Sequence, residues 1–298
     1  MSDMSSVMTA SSAERTYRYL RLAVAGTVVA LFVAVVAAAT FVGWLPSISD
    51  YFYTPARSIF VGTLITISLA LVALAGNGVE RVLLDAAALF APLIALVPTT
   101  VAPGTVPGVE VTCPRSCFPA AYTDDVAVGV VVYLVLHGLG IAASVLLVAA
   151  RQVRLRTVWL SLLFAVALLV AVAYTWFAMP ALFLMWAHYV AAFAFFGFFA
   201  AAAVLAAFPR RGARPGMRFR VAYTAIAVGL VVVLIVFAAL IPESMTIELP
   251  VVLLSETAAL ILLLVFWIVQ CVEKWRNADG VDAPARPVAR ELSDARRT

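Results

Sequence analysis

The sequence predicts an all-α, polytopic membrane bundle of about eight transmembrane helices, with both termini on the cytoplasmic side. Three observations predict it. Of 298 residues, 65% are hydrophobic and only 12% are charged, at a mean hydropathy of +1.07. A soluble domain carries about 25% charged residues, so a chain this apolar needs lipid as its solvent. The apolar residues also fall into runs that match a hydrocarbon core, which takes about 20 residues per helix. Finally, with the N-terminus inside, eighteen of the twenty Arg and Lys residues fall on inner segments, and only Arg57 and Arg115 fall on outer ones. That is the positive-inside pattern, and a missed span would scramble it.

The elements follow in order. Residues 1–14, rich in Ser, Met and Ala, read as a disordered tail. Arg15, Arg18 and Arg21 precede the first apolar run, 22–44. A signal-peptide core has roughly 7–15 residues, so this longer run reads as a retained span. Further spans are expected at 58–75, 82–101, 126–149, 157–178, 181–207, 221–241 and 251–272. The membrane domain then covers 15–276. The remainder, 277–298, mixes Asp, Arg, Pro and Ala without periodicity and reads as a disordered tail. Met179-Pro180 divides the fifth span from the sixth, because proline ends one helix or starts the next. Pro92 and Pro98 are expected to kink the third span and free backbone carbonyls. In the sixth, Ala187, Ala191, Ala194, Gly197 and Ala201 form a small face that suits close helix approach. Its phenylalanines, Phe193, Phe195, Phe196, Phe198 and Phe199, read as packing or lipid-facing residues.

The outer loop 103–125 carries the sequence CPRSC. Cys113 and Cys117 lie on the side where a disulfide persists. A staple on the loop is the expectation over a redox pair, since the spacing is not C-x-x-C. Cys271 faces the other side and reads as a reduced packing residue.

Chemistry has few places to reside. An ionisable side chain at mid-membrane costs roughly 2.5–3.5 kcal/mol on insertion scales and usually faces a bundle interior. Asp85, His137, His188 and Glu256 fall within spans, and Asp50 and Arg57 flank the second. A rise of about 1.5 Å per helical residue puts Asp50, Arg57, His188 and Glu256 in the outer third, with His137 near the middle and Asp85 near the inner end. Tyr51, Tyr53, Thr54 and Ser255 lie close by in depth. The candidate ligand-binding residues are therefore Asp50, Tyr51, Tyr53, Arg57, His188 and Glu256. An ion pair between Arg57 and Glu256, with His188 beside it, is the expected core of that group; such a pair also holds helices together without any ligand.

Two histidines fall short of the three protein ligands usual for catalytic zinc, so no metal is expected. No H-E-x-x-H, G-x-S-x-G, phosphate loop or dinucleotide fingerprint is present, and no cofactor is expected. Nucleic acid is not an expected partner, because the basic residues sit in short loops rather than on a folded groove. Expected partners are membrane lipid and a lipid or small-molecule ligand. The arginine bias suggests a GC-rich bacterial source, and hence the plasma membrane. Three functions stay open: a non-enzymatic protein with a polar outer pocket for a headgroup or small solute, a proton-coupled secondary transporter using Glu256 and His188, and a non-zinc membrane hydrolase. Ser49, Thr54 and Ser255 are the candidate nucleophiles for the last.

The stretch ISDYFYTPARSIFVG, with ALVPTT, AHYVAAFAFF, RFRVAYTAIA and SETAALILLLVFWIV, resembles an uncharacterised family of bacterial multi-pass membrane proteins. That family carries an I-S-x-Y-x-x-T-x-x-R-x-x-F-V-G element, a span with H-[FY]-x-x-A and a last span with an early Glu. The resemblance implies that Ser49, Tyr51, Thr54, Arg57, His188 and Glu256 form a shared outer-side set, and it implies no activity. The fourth and fifth spans depart from the pattern. LPSISD is similar, more loosely, to the damage-regulated autophagy modulator superfamily. The three-His alkaline ceramidase and adiponectin receptor pattern is not met.

Overall fold

The computed structural model describes residues 2–76, 78–210, 214–240 and 250–278, and of 2–14 and 276–278 the backbone alone. It is an all-α polytopic bundle: α1 (Ser2–Val42), α2 (Arg57–Leu74), α3 (Val79–Leu96), α4 (Thr123–Ala149), α5 (Leu155–Ala178), α6 (Pro180–Ala207), α7 (Met217–Leu240) and α8 (Val251–Ala278). Seven of these helices are long and apolar enough to cross a membrane. The exception is α3, whose 18 residues include Glu80, Arg81 and Asp85. Its position explains why those charges are tolerated. It is the central helix, packed on α2, α4, α5 and α6, and its middle residues Ala87, Ala91 and Ala95 are fully buried.

Three expectations change. Helical backbone begins at Ser2, where the sequence predicts a disordered tail, although the membrane-spanning portion starts at Arg15; Met and Ala are good helix formers and simply extend the span. The tail expected over 277–298 lies, from residue 279, outside the described residues, and α8 carries helix to Ala278. The third span is shorter than predicted. Pro92 is inside α3, but the helix stops at Leu96, so Pro98 does not kink it. A proline disfavours helix for the residue before it, and Val97 is accordingly extended (φ −113, ψ 96).

Packing follows the expected small-residue face only at Ala191: Ala187, Ala194, Gly197 and Ala201 are half-buried, and the buried stripe runs on through Phe195 and Phe199. Helix α6 lies against α3 and α7. Ala191, Phe195 and Phe199 are buried, and the Phe199 ring meets Phe266 of α8 at 4.8 Å. Helix α8 also packs on α1, so the first and last spans are neighbours running in opposite directions. Two contacts mark the ends of that pair: Leu253 N–H donates to Pro46 C=O at 2.9 Å, and Arg21 Nε donates to Gln270 Oε1 at 3.0 Å. In the loop between α3 and α4, Cys113 and Cys117 are bonded, and Val101 pairs with Cys117 through two backbone hydrogen bonds of 3.1 and 3.2 Å.

A candidate proton centre built on the 45–54 segment

Between α1 and α2 the chain does not run over the surface. From Leu45 to Thr54 every residue but Pro46 is buried, and Ser49–Tyr53 forms a 3₁₀ turn. Irregular backbone inside a membrane protein persists only where its polar groups find partners. Here they do. Gly43 ends α1 with φ +81, a left-handed turn that suits glycine, and its carbonyl accepts from the Tyr51 hydroxyl at 3.4 Å. Leu45 N–H donates to the same hydroxyl at 3.3 Å. Tyr51 and Thr54 N–H groups donate to Ile48 and Tyr51 carbonyls, each at 3.1 Å. Ser49 N–H donates to Ser47 Oγ at 3.0 Å.

The remaining groups converge on Glu256, one turn into α8. Its Oε2 accepts from Ser47 Oγ at 2.8 Å and from Ile48 N–H at 2.6 Å. Its Oε1 lies 2.7 Å from Ser49 Oγ. Ser49 Oγ in turn lies 2.9 Å from His188 Nε2, and His188 Nδ1 lies 2.7 Å from the Val97 carbonyl. Ser49 is 4% exposed and His188 3%. Each group comes from a different element: the 45–54 segment, α6, α8 and the end of α3. Pro98 matters here, because it moves Val97 out of the helix and frees the carbonyl that His188 uses.

A proton count follows from these contacts. A carbonyl only accepts, so His188 Nδ1 carries a hydrogen. In a neutral imidazole Nε2 is then an acceptor, and an ionised Glu256 offers only acceptors. Ser49 has one hydrogen for two acceptors, both under 3 Å away. One pair of lone pairs would be left face to face unless the set holds one further proton. Either Glu256 Oε1–H donates to Ser49, which donates to His188, or His188 Nε2–H donates to Ser49, which donates to Glu256. Both arrangements satisfy every contact, and they differ by a proton passed along the serine.

The other predicted residues are placed as follows. Asp50 is 4% exposed and accepts from Thr99 Oγ1 at 3.0 Å. Burial, reinforced by the nearby Glu256 charge, raises its carboxyl from 3.8 to about 7, with the Thr99 hydrogen bond opposing. Tyr53 donates to the Thr99 carbonyl at 2.6 Å, and burial pushes its phenol up. Tyr51 is folded into its own turn. The expected Arg57–Glu256 pair does not form. Arg57 opens α2, which packs on α1 and α3, whereas α8 packs on α1 and α7. Arg57 instead pairs with Asp125 of α4 at 2.7 Å, on a partly exposed edge, and lies over the Phe52 ring at 4.3 Å. The Arg57–Asp125 edge borders an open cavity of about 630 Å³, bounded also by Phe52, Ser58 and Leu96.

No family model matches this chain, and no curated protein or solved structure matches it. Ser47, Thr99 and Asp125 were not among the predicted site residues. The S-x-S spacing of Ser47 and Ser49 ahead of an acidic residue was the one visible signal. Thr99 becomes visible only once Pro98 is understood to end α3. His137 does not join the centre. It is buried on α4 beside Tyr133, 5.3 Å between rings, and neither ring nitrogen has a hydrogen-bond partner among the described residues. Asp85 lies 3.5 Å from Arg81 on its own helix. Among the described residues, no three His, Cys, Asp or Glu side chains converge as a metal site.

Proposed function

We propose that this multi-pass membrane protein is a proton-coupled secondary carrier, oriented with its termini in the cytoplasm of a bacterial cell and its proton centre near the outer face of the plasma membrane. The single observation that carries the reading is Ser49 Oγ, held at once by Glu256 and His188. The arginine distribution supports the orientation. Loss of the shared proton sets two acceptors against each other, so α6, α8 and the 45–54 segment have reason to part when it leaves. That is the coupling a carrier needs, in which a ligand shifts an equilibrium only through its differential interaction with two states. A hydrolase is less well supported. Ser49 does touch His188, but the carboxylate bonds the serine rather than orienting the imidazole, and neither large cavity is lined by Ser49.

The test uses proteoliposomes containing a pH-sensitive dye, acidified outside and challenged in turn with amino acids, sugars, carboxylic acids and phosphate. At least one solute is expected to speed internal acidification with the wild type and not with Glu256→Gln. A solute-driven flux of equal size in Glu256→Gln, or no solute-driven flux with any of them, defeats the proposal.

One observation favours a second reading. The open groove beside Arg57 suits a lipid headgroup or small solute at the outer face. Mass spectrometry of molecules that co-purify with wild type but not with Arg57→Ala tests it, and identical profiles dismiss it.

A further inference from the structure

We infer that the end of the bundle opposite the proton centre holds a site for a phosphate-bearing anion. Lys274 follows Glu256 by eighteen residues on one helix, which separates them by about 27 Å. A cavity of about 1080 Å³ opens there between six of the helices, and its ionisable lining comprises Arg21, Arg214, Arg218 and Lys274 against Glu80 and Glu273. Cations therefore exceed carboxylates. One of the two carboxylates is engaged at the wall: Glu273, 7% exposed, accepts from the Tyr223 hydroxyl at 2.6 Å. Arg21 is fixed through Nε to Gln270 at 3.0 Å, a bond that leaves both terminal amino groups to other partners, with Glu80 and Glu273 the nearby charges. Trp267, 1% exposed, also lines the cavity, and its indole N–H has no acceptor among the described residues.

The cavity is thus rich in donors and poor in acceptors. Arginine forks match phosphate oxygens in pairs, and lysine adds a point charge. Basic pockets between spans at this end of a membrane protein take anionic headgroups. A phospholipid headgroup and a soluble phosphate ester share this chemistry. The inference does not rest on the carrier reading, because the two sites share no residue.

The test is the apparent Tm of the purified full chain, followed by tryptophan fluorescence. Inorganic phosphate is compared with chloride at equal ionic strength in a neutral detergent. In a second arm, nanodiscs of phosphatidylcholine are compared with nanodiscs that also contain phosphatidic acid. Ligand at about a hundred times its Kd is expected to raise Tm by about 5 °C. The rise is expected in wild type and in Arg156→Gln, which removes the same charge from an exposed position outside the cavity. It is expected to fall by at least half in Arg21→Gln and in Lys274→Gln, and the second variant carries the test if the first does not fold. A rise with inorganic phosphate identifies a soluble source, and a rise with phosphatidic acid alone identifies a lipid one. No rise in wild type, or an equal rise in both cavity variants, overturns the inference.

Discussion

Replacing Glu256 with Gln gives a sharp test of the proton count. A glutamine of the same shape presents its carbonyl to Ser47 Oγ and Ile48 N–H and its amide N–H to Ser49 Oγ, which then donates to His188. Every contact at 2.6–2.9 Å around the wild-type carboxyl is reproduced without an added proton. The folded wild type, by contrast, holds one proton that the unfolded chain has released once pH exceeds the ordinary histidine value. Stability then falls with rising pH at about 1.36 kcal/mol per unit. Over the first pH unit above that value this amounts to about 1.4 kcal/mol, or about 3 °C in apparent Tm for a chain of this size. Thermal unfolding in detergent across that window is the assay, and the difference between the two proteins cancels groups that titrate in both. Wild type is expected to lose about 3 °C more than Glu256→Gln over that pH unit. Glu256→Ala separates proton binding from simple structure, because it orphans the buried donors of Ser47 and Ile48 at roughly 4 kcal/mol in total, at every pH. Parallel pH profiles for wild type and Glu256→Gln would refute the count, as would a Gln variant as unstable as the Ala variant.

Three further outcomes are expected. With a folded value of about 7 against an ordinary 3.8, Asp50 keeps a proton that the unfolded chain has lost, so its contribution is complete below about pH 4 and is lost as pH rises through about 7, by roughly 4 kcal/mol; Asp50→Asn should flatten the apparent Tm over that window. Arg57→Ala should lower apparent Tm by no more than about 2 °C, because the pair with Asp125 is partly exposed and such pairs contribute about 0–1 kcal/mol. His137→Leu should leave Tm unchanged or raise it in the same assay, since the buried ring nitrogens it removes have no partner among the described residues.

The helices were legible because lipid imposes a length and a composition on each one, and the break at Met179-Pro180 was legible because proline leaves a plain mark. The site was legible only in part. Depth along a helix follows from residue number, so His188 and Glu256 could be placed at one level. Azimuth does not follow, and Arg57 at that same level faces α4 rather than α8. What joins His188 to Glu256 is the Ser49 hydroxyl, while the Val97 carbonyl holds the other nitrogen of the ring. Neither is ionisable, so the cost of burying charge marks out His188 and Glu256 but not what bridges them, and Ser49 is expected there only as a candidate nucleophile and through the resemblance. The buried course of the 45–54 segment was equally hidden, since a linker rich in Ser, Asp and Tyr reads as a surface loop until its partners are known.

Helices α4 and α5 stand apart in one respect: only 17% and 11% of their most apolar windows are buried, against 28–44% for the other spans. Helix α4, at 27 residues, is about 40 Å long, while α2, at 18 residues, is about 27 Å. The bundle therefore has a tall flank and a low one. Acyl chains must stretch beside the first and compress or tilt beside the second, each at a fraction of a kcal/mol per ångström. Bilayer thickness thus bears first on this outboard pair, whose α4 end is moored to the start of α2 through Arg57–Asp125 and to the 45–54 segment through Tyr122 against Phe52 and Tyr53.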